Sequence, residues 1–158
     1  MSRRGSFKKV AVEADVLYKN KLVAKLVNRS MRDGKKSVAQ KEIYRALEII
    51  KDKSGDPLKV FVEALENIKP SMEVRPRRIG GAVYQVPSPV RGERKESLAI
   101  RWLVNCARTK SNTEFHTFGE KLAVEIMDAA KGEGLSVKKK TEMEKTAEAN
   151  KAFAHFKW

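Results

Sequence analysis

The chain has 158 residues, and its 34 Lys and Arg outnumber its 20 Asp and Glu, which gives a formal net charge of +14 at pH 7. This length suits a single domain, and the 41% of hydrophobic residues can bury a core, which excludes global disorder. A single cysteine excludes a disulfide framework and a multi-cysteine metal centre, and no apolar run reaches the roughly 18 to 20 residues that span a bilayer.

The first ten residues contain basic side chains and no acid. The basic residues are Arg3, Arg4, Lys8 and Lys9. We therefore expect a flexible basic arm over residues 1–10 that becomes ordered on its partner. Because this segment lacks the apolar stretch of a secretory signal, we also expect a cytoplasmic protein.

Helical periodicity predicts three helices within residues 20–70. The first helix carries an apolar face beside a basic stripe. The stripe consists of Lys21, Lys25, Arg29 and Arg32. After the break at Asp33-Gly34, a second helix runs to about residue 52. The third begins where Asp56 can cap it and Pro57 can take its first position, and it ends before Pro70.

Residues 72–89 interrupt the helical pattern and predict a β-hairpin. Gly80-Gly81 suits a two-residue turn because both positions can take positive φ. In the register that this turn sets, Arg77 faces Tyr84 and Arg75 faces Val86.

The predicted ribbon is strongly basic. Residues 75–92 contain no acid but four arginines, namely Arg75, Arg77, Arg78 and Arg91. The ribbon has few apolar residues to bury, so we expect it to protrude from the helical body and to be steadied by what it binds. Such a ribbon can lie along an RNA groove, with arginines on phosphates and Val83 or Tyr84 against bases or sugars.

Residues 93–150 predict three more helices. The fourth has Trp102 and Cys106 on its apolar face, and we expect both in the core, Cys106 as a small hydrophobic residue. Its other face carries Arg94, Arg101 and Arg108. The fifth ends at the glycine-containing break over residues 131–134, and the sixth, over residues 137–150, is polar with a thin apolar face.

The last eight residues, 151–158, form an aromatic and basic tail. Its ring-bearing residues are Phe153, His155, Phe156 and Trp158. Two interpretations remain open, a hydrophobic clasp on the helical body and a tail that stacks on RNA. With the elements above, the sequence predicts a mainly α protein, a single-domain bundle of about six helices with a protruding two-stranded β-hairpin over residues 1–158.

Several separate basic elements favour a polyanionic partner, and nucleic acid is favoured over an anionic membrane surface. Any single exposed lysine needs no partner, but the set is hard to explain as solvated surface alone. An enzyme is disfavoured, because His116 and His155 are a poor candidate acid–base pair and no phosphate-binding glycine loop or metal-binding carboxylate pattern occurs. We therefore expect no cofactor, no metal site, no membrane and no small-molecule substrate.

Long stretches of the sequence resemble a known family. They read KKVAVEADVLYKNKLVAKLVNRSMRDGKKSVAQ, DPLKVFVEALENIKP, RPRRIGGAVYQVP, SLAIRWLVNCAR and AEANKAFAHFKW. Together they resemble the bacterial-type seventh small-subunit ribosomal protein (S-seven) family over essentially the whole chain. The resemblance implies six helices with an extended β-hairpin.

The resemblance also implies a function. Members of this family are primary binders of the 3′ major domain of 16S rRNA, nucleate assembly of the small-subunit head, and lie near the mRNA exit channel and exit-site tRNA. They contact the eleventh small-subunit protein, and some repress translation of their own operon's mRNA.

Site residues follow from the same resemblance by position. The implied rRNA-binding residues are Arg3, Arg4, Lys8, Lys9, Lys35, Lys36, Arg75, Arg77, Arg78, Arg91, Arg94 and Arg101. The residues implied to approach exit-site tRNA and mRNA are Gly80, Gly81, Val83, Tyr84, Lys145 and Lys151.

A rival interpretation is an architectural protein that compacts DNA with a basic ribbon in the minor groove. Such a protein would bind duplex DNA at least as well as structured RNA. Proteins of that kind place an apolar wedge at the ribbon tip, whereas the tip here is Gly80-Gly81, which counts against the rival.

Overall fold

The computed structural model describes residues 11–156, and its elements form a mainly α protein, which confirms the predicted class. The helices are α1 (Lys21–Ser30), α2 (Lys36–Ser54), α3 (Pro57–Ile68), α4 (Gly92–Thr109), α5 (Phe118–Ala130) and α6 (Leu135–Ala149). Strands β1 (Met72–Ile79) and β2 (Ala82–Pro89) lie between α3 and α4, and a 3₁₀ helix over Lys151–Phe156, here the C-terminal segment, follows α6. Predictions on residues 1–10 and 157–158, including Trp158, lie outside the described residues.

Helix α5 lies at the centre of the bundle and packs against α2, α3 and α4. Its inward residues Leu122, Ala123, Ile126 and Ala129 have no exposed surface. Trp102 on α4 is buried, which confirms its predicted place in the core. The prediction for Cys106 is only partly right: its side chain is half-buried, and burial raises the pKa of the thiol.

Local capping chemistry sets several helix ends. The Asp56 carboxylate accepts the N–H groups of Leu58 and Lys59 at 3.2 Å each, and Pro57 takes the first position of α3, which confirms the predicted start of that helix. At α5, Thr117 and Glu120 form a reciprocal capping box. Two of the four N-terminal donors are thereby satisfied at each of these helices.

The hairpin has the predicted register. Ile79 faces Ala82, Arg77 faces Tyr84 and Arg75 faces Val86 in an antiparallel pair. We call residues 75–84 the hairpin tip and residues 72–74 with 85–89 the hairpin base.

The hairpin protrudes less than the sequence predicted. In the base Glu73, Val86 and Pro87 are buried, whereas most of the tip is exposed. Helix α6 packs against β1, and the C-terminal segment packs against β2. The part of the hairpin nearest the turn is therefore the part that projects, because two later parts of the chain cover the base.

The C-terminal segment forms an aromatic cluster with the hairpin. The ring centroid of Tyr84 lies 5.3 Å from that of Phe153 and 5.4 Å from that of Phe156, spacings typical of tilted aromatic pairs. The described part of the tail, residues 151–156, therefore forms a clasp, as one of the two interpretations held, but it closes mainly on the hairpin, with fewer contacts to α6 of the helical body.

A buried carboxylate in the middle of α5 joins that helix to the start of α6 and to the residue that follows α4. Glu125 on α5 has no exposed surface, and its Oε1 accepts the N–H and the hydroxyl of Ser136 on α6 at 2.8 and 2.7 Å. Lys110, which follows α4, brings its Nζ to 3.0 Å from Glu125 Oε2. Burial disfavours the charged ammonium, but the contacts with Glu125 and, at 3.4 Å, Asp128 together outweigh burial and raise the pKa of Lys110.

Candidate nucleic-acid interface

The hairpin base and the start of α4 are joined by one carboxylate. Glu73 is buried at the base, and Arg94 Nε donates to its Oε2 at 2.7 Å. Arg75, which lies two residues after Glu73 on the same strand, donates to the other oxygen, Oε1. Both guanidinium groups are about half exposed, with side-chain exposures of 48% for Arg94 and 49% for Arg75.

The Glu73 carboxylate is held in its charged form. Burial alone would raise its pKa, but the hydrogen bonds from Arg94 and Arg75 outweigh burial, so the pKa of Glu73 is lowered. A carboxylate that is ionised at neutral pH keeps each guanidinium in place by charge-assisted hydrogen bonds. The two arginines that face solvent here are therefore oriented groups on a fixed base.

The hairpin tip presents further basic and apolar groups. Arg77 and Arg78 are exposed, and Val83 is 63% exposed. Gly80 and Gly81 have φ of 56° and 93°, as the predicted two-residue turn requires. Such a tip can place guanidinium groups on phosphates and an aliphatic side chain against a sugar or base.

Tyr84 does not offer a free ring to a nucleic acid. Its ring contacts Phe153 and Phe156, and the residue is only partly exposed. The contact of Tyr84 with a base or sugar stays a prediction, and only the part of the ring that the two phenylalanines leave exposed could make it. In this structure Tyr84 anchors the C-terminal segment, and Val83 is the exposed apolar group beside the turn.

The outer face of α4 extends the basic surface. Arg91 precedes the helix, and Arg101 lies seven residues beyond Arg94, about 10 Å along the axis. Both are exposed. Lys25 of α1 pairs with Glu96 of α4 at 2.5 Å, so that part of the predicted basic stripe on α1 is neutralised.

The remaining site residues fall in two places. Lys145 on α6 and Lys151 at the start of the C-terminal segment are exposed and belong to the two elements that cover the hairpin base. Lys35 and Lys36 are exposed at the start of α2; Lys35 lines a cleft that Arg108 at the other end of α4 also lines. The structure therefore groups most of the described site residues around the hairpin and leaves Lys35 and Lys36 elsewhere.

Sequence reasoning missed Glu73 and the covering of the hairpin base. Glu73 is the only acid in the two strands, and that isolation among arginines was the available signal. Its second partner, Arg94, is 21 residues away in sequence and belongs to a different element, so no local pattern could identify the pair.

Residues 11–156 form neither a cluster that could bind a metal ion nor a helix that could span a membrane. Over this range His, Cys, Asp and Glu nowhere gather in a group of three or more that could hold a metal ion. Over the same range no helix has the length and apolar character needed to cross a bilayer.

Comparison with known proteins identifies the relatives of this chain. A family model described as "Ribosomal protein S7p/S5e" matches residues 2–151. The chain is 58% identical to "Small ribosomal subunit protein uS7" of Carboxydothermus hydrogenoformans and 57% identical to the protein of that name from Thermoanaerobacter pseudethanolicus. A third uS7, from Thermodesulfovibrio yellowstonii, is 55% identical. Each comparison spans 100% of both chains, so the resemblance read from the sequence motifs is confirmed.

Proposed function

The chain belongs to the ribosomal protein S7p/S5e family, and from that premise we propose that it is a structural, non-enzymatic component of the small ribosomal subunit that binds ribosomal RNA. Its target is the 3′ major domain of 16S rRNA, where it acts as a primary binder that nucleates assembly of the subunit head. It does this in the cytoplasm as part of the ribosome.

The observation that carries this proposal is the rigid connection between a basic ribbon and a basic helix. Glu73 ties Arg75 of the hairpin to Arg94 of α4, so the two basic surfaces keep a fixed angle to each other. Folded RNA is recognised mainly by shape and by phosphate contacts. A scaffold that presents arginines in two fixed directions can match one multihelix junction and fail to match others.

The surface around the hairpin tip supports a second part of the proposal. We assign the approach to exit-site tRNA and mRNA to Gly80, Gly81 and Val83 of the tip together with Lys145 and Lys151. The contact of Tyr84 with Phe153 holds the C-terminal segment beside β2, so these residues belong to adjoining elements. The two exposed lysines add positive charge to the elements that pack against the hairpin, as a nucleic-acid partner requires.

Two further partners complete the proposal. We assign to the chain a contact with the eleventh small-subunit protein and, as a regulatory role, binding to the mRNA of its own operon with repression of translation. An mRNA that imitates the rRNA junction would engage the same ribbon and helix, since both RNAs would be recognised by shape. Competition between that mRNA and the rRNA fragment for the protein is the expected result.

A binding titration tests the central proposal. The full chain is titrated with a 3′ major-domain 16S rRNA fragment, a scrambled RNA of equal length and a duplex DNA, each at several salt concentrations. We expect a preference for the fragment of about 10³-fold or more at physiological salt, on the order of specific nucleic-acid recognition. Equal affinities that fall together with salt would instead indicate a nonspecific polyanion binder and favour the architectural DNA-binding alternative.

A further inference from the structure

Helix α6 covers the hairpin base but buries little apolar surface. Of its residues, Ser136 and Ala147 are buried, and Val137 and Met143 are partly buried against the core. The free energy gained by burying apolar surface grows with the area removed from water, so this helix gains little of it. Contacts of another kind are needed to hold α6 in one position against the hairpin.

Polar contacts at a regular spacing hold α6. They involve Ser136, Lys140 and Glu144, which are four residues apart and therefore lie on one face of the helix. Ser136 donates to the buried Glu125 carboxylate of α5 from its N–H at 2.8 Å and from its hydroxyl at 2.7 Å. The Lys140 ammonium donates to the carbonyl of Asn67 on α3 at 3.0 Å. The third contact, made by Glu144, reaches the hairpin.

Glu144 holds the residue that precedes β1. Its Oε1 accepts the N–H of Ser71 at 2.9 Å and the Ser71 hydroxyl at 2.7 Å. The carbonyl of Ser71 in turn accepts the N–H of Val90 at 3.1 Å. Ser71 and Val90 connect the two strands to the helical body. Glu144 therefore holds the hairpin at the point where it leaves the body.

The Glu144 carboxylate is kept in its charged form. Burial alone would raise its pKa, but the two hydrogen bonds from Ser71 and the positive charge of Lys140 outweigh burial, so the pKa of Glu144 is lowered. Hydrogen bonds to an ionised acceptor are stronger than those to a neutral one. The contact with Ser71 is therefore a charge-assisted one at neutral pH.

Two contacts with different helices define the direction of the hairpin. Glu73 links β1 to α4 through the Arg94 guanidinium, which lies at the end of a long side chain with several rotatable bonds. Glu144 links the start of β1 to α6 through the N–H of Ser71, a backbone group that moves only with the chain itself. A rotation of the hairpin that preserves one of these contacts therefore strains the other.

A small rotation at Ser71 would become a large displacement at the turn. Gly80 follows Ser71 by nine residues, which corresponds to about 30 Å of extended strand. Over that length a rotation of about 10° moves the turn by roughly 5 Å. This displacement is larger than the length of a hydrogen bond, about 3 Å, so arginines near the turn would lose contact with the phosphates that they reach in the original direction.

We propose that Glu144 is a positioning residue for RNA recognition, which acts through Ser71 to set the direction of the hairpin relative to α4. This inference rests on the proposed function and names a residue that determines how selective that function is. With the direction set, the arginines of the hairpin and of α4 contact one folded RNA together. Without it, each element still attracts RNA by charge, and charge alone does not distinguish one RNA from another.

Binding by the full chain tests this role. Glu144→Ala removes the acceptor, and we expect the preference for the 3′ major-domain fragment over a scrambled RNA of equal length to fall about threefold to tenfold. Affinity for the scrambled RNA should stay the same or rise slightly, because the change removes one negative charge. Glu144→Gln keeps an acceptor oxygen of the same reach and should restore most of the preference. Circular dichroism and thermal unfolding confirm that both variants fold.

Glu148→Ala is the matched control. Glu148 is an exposed acid four residues further along α6, so the control makes the same change of charge on the same helix. We expect it to leave the preference for the fragment unchanged. An equal loss of preference in Glu144→Ala and Glu148→Ala, or affinities of Glu144→Ala for both RNAs that fall together, would overturn the positioning role.

A distance measurement on the free protein separates this inference from the proposed function. Spin labels at Ala82→Cys in the hairpin tip and Lys53→Cys on α2, in a chain with Cys106→Ala, report the spread of hairpin directions by pulsed electron paramagnetic resonance. We expect a broader distance distribution with Glu144→Ala and an unchanged one with Glu148→Ala, and equal widths would overturn the inference. A failed proposed function has a different signature, because the unmodified chain would then not distinguish the fragment from scrambled RNA.

Discussion

Glu125 in the helical body and Glu73 in the hairpin are both buried carboxylates, and the two are used differently. In the body, Glu125 is enclosed by Lys110 and Ser136, and its partners face inward. In the hairpin, Glu73 is almost as deeply buried, but its partners Arg75 and Arg94 keep half of their side-chain surface in solvent. A buried carboxylate with cationic partners closes the core in the body, whereas in the hairpin it orients a surface that faces solvent. We therefore expect mutations in the body to lower stability and mutations in the hairpin tip to lower RNA affinity.

The largest expected effect is a loss of stability in the helical body, caused by Glu125→Ala. The change leaves the half-buried Lys110 ammonium with only the more distant Asp128 carboxylate, at 3.4 Å, and removes both hydrogen bonds that Ser136 donates. We expect a loss of about 3 to 5 kcal/mol in the free energy of unfolding, as is typical when one partner of a buried ion pair is removed. Urea denaturation measures it, and the folded variant should keep its RNA affinity within about twofold.

Glu142→Ala is the control for this prediction. Glu142 pairs with Lys139 at 2.8 Å on the exposed face of α6, and we expect its loss to destabilise the protein far less than Glu125→Ala does, because solvent screens an exposed ion pair. Equal destabilisation by the two variants would show that Glu125 contributes no more than a surface pair.

The next largest effect is expected on RNA affinity, from the double change Arg77→Glu with Arg78→Glu in the hairpin tip. Both side chains are exposed, so we expect stability to change by less than about 0.5 kcal/mol. Reversal of two charges at a phosphate-binding surface should weaken binding to the 3′ major-domain fragment about 100-fold or more at physiological salt. A filter-binding titration measures the affinity.

Lys51→Glu with Lys53→Glu is the matched control, since it changes the net charge equally on an exposed part of α2. We expect that control to weaken binding only slightly, through the general field of the protein. If both double variants lose the same affinity, net charge and not the ribbon determines RNA binding.

A smaller effect is expected where the C-terminal segment meets the hairpin. Phe153→Ala with Phe156→Ala removes both ring contacts to Tyr84 but no positive charge. We expect a loss of about 1 to 2 kcal/mol in stability, the scale of two aromatic pairs, and faster amide exchange in β2 by hydrogen-exchange mass spectrometry. RNA affinity should fall a few-fold with an unchanged salt slope, because ordering the ribbon then costs binding energy but no phosphate contact is lost.

An altered salt slope in this variant would contradict that account, because it would mean that the aromatic residues position a phosphate-binding group directly. Phe115→Ala serves as the control, since Phe115 is a partly exposed aromatic residue in the connection between α4 and α5, away from the hairpin. It should leave amide exchange in β2 unchanged.

The difference between contacts within one element and contacts between elements explains what could be predicted from the sequence. The hairpin register follows from local chemistry, because Gly80-Gly81 fixes the turn and strand alternation then assigns every pair. The start of α3 at Pro57 follows from its cap in the same way. The partners of Glu73 and Glu125 could not be predicted, because each carboxylate joins residues of different elements whose packing no local pattern encodes.

The candidate site was predictable to a similar extent. Exposed arginines near the turn were visible as an acid-free basic run, whereas the half-buried Arg108 resembled any other basic residue on the outer face of α4. What separates Arg108 from Arg101 is contact with Ser30 and Phe118, on α1 and α5. Such contacts depend on how three helices meet, so no local pattern in the sequence could have identified them.

The smallest expected effect is a dependence of stability on pH that arises from the ionisation of Glu73. Because hydrogen bonds from Arg94 and Arg75 lower the pKa of Glu73 below its ordinary 4.5 despite burial, the folded state binds this proton less readily than the unfolded state. The stabilisation is therefore fully present above pH 4.5 and is lost as pH falls through the lowered pKa. We expect Glu73→Gln to be about 1 kcal/mol less stable than the unmodified chain at pH 6, since its partners are half exposed, and the gap to narrow towards pH 3. Urea denaturation of both proteins at each pH measures the gap. A gap that stays constant would mean that Glu73 acts through packing alone, and the hairpin base would then resemble the body in how it is held.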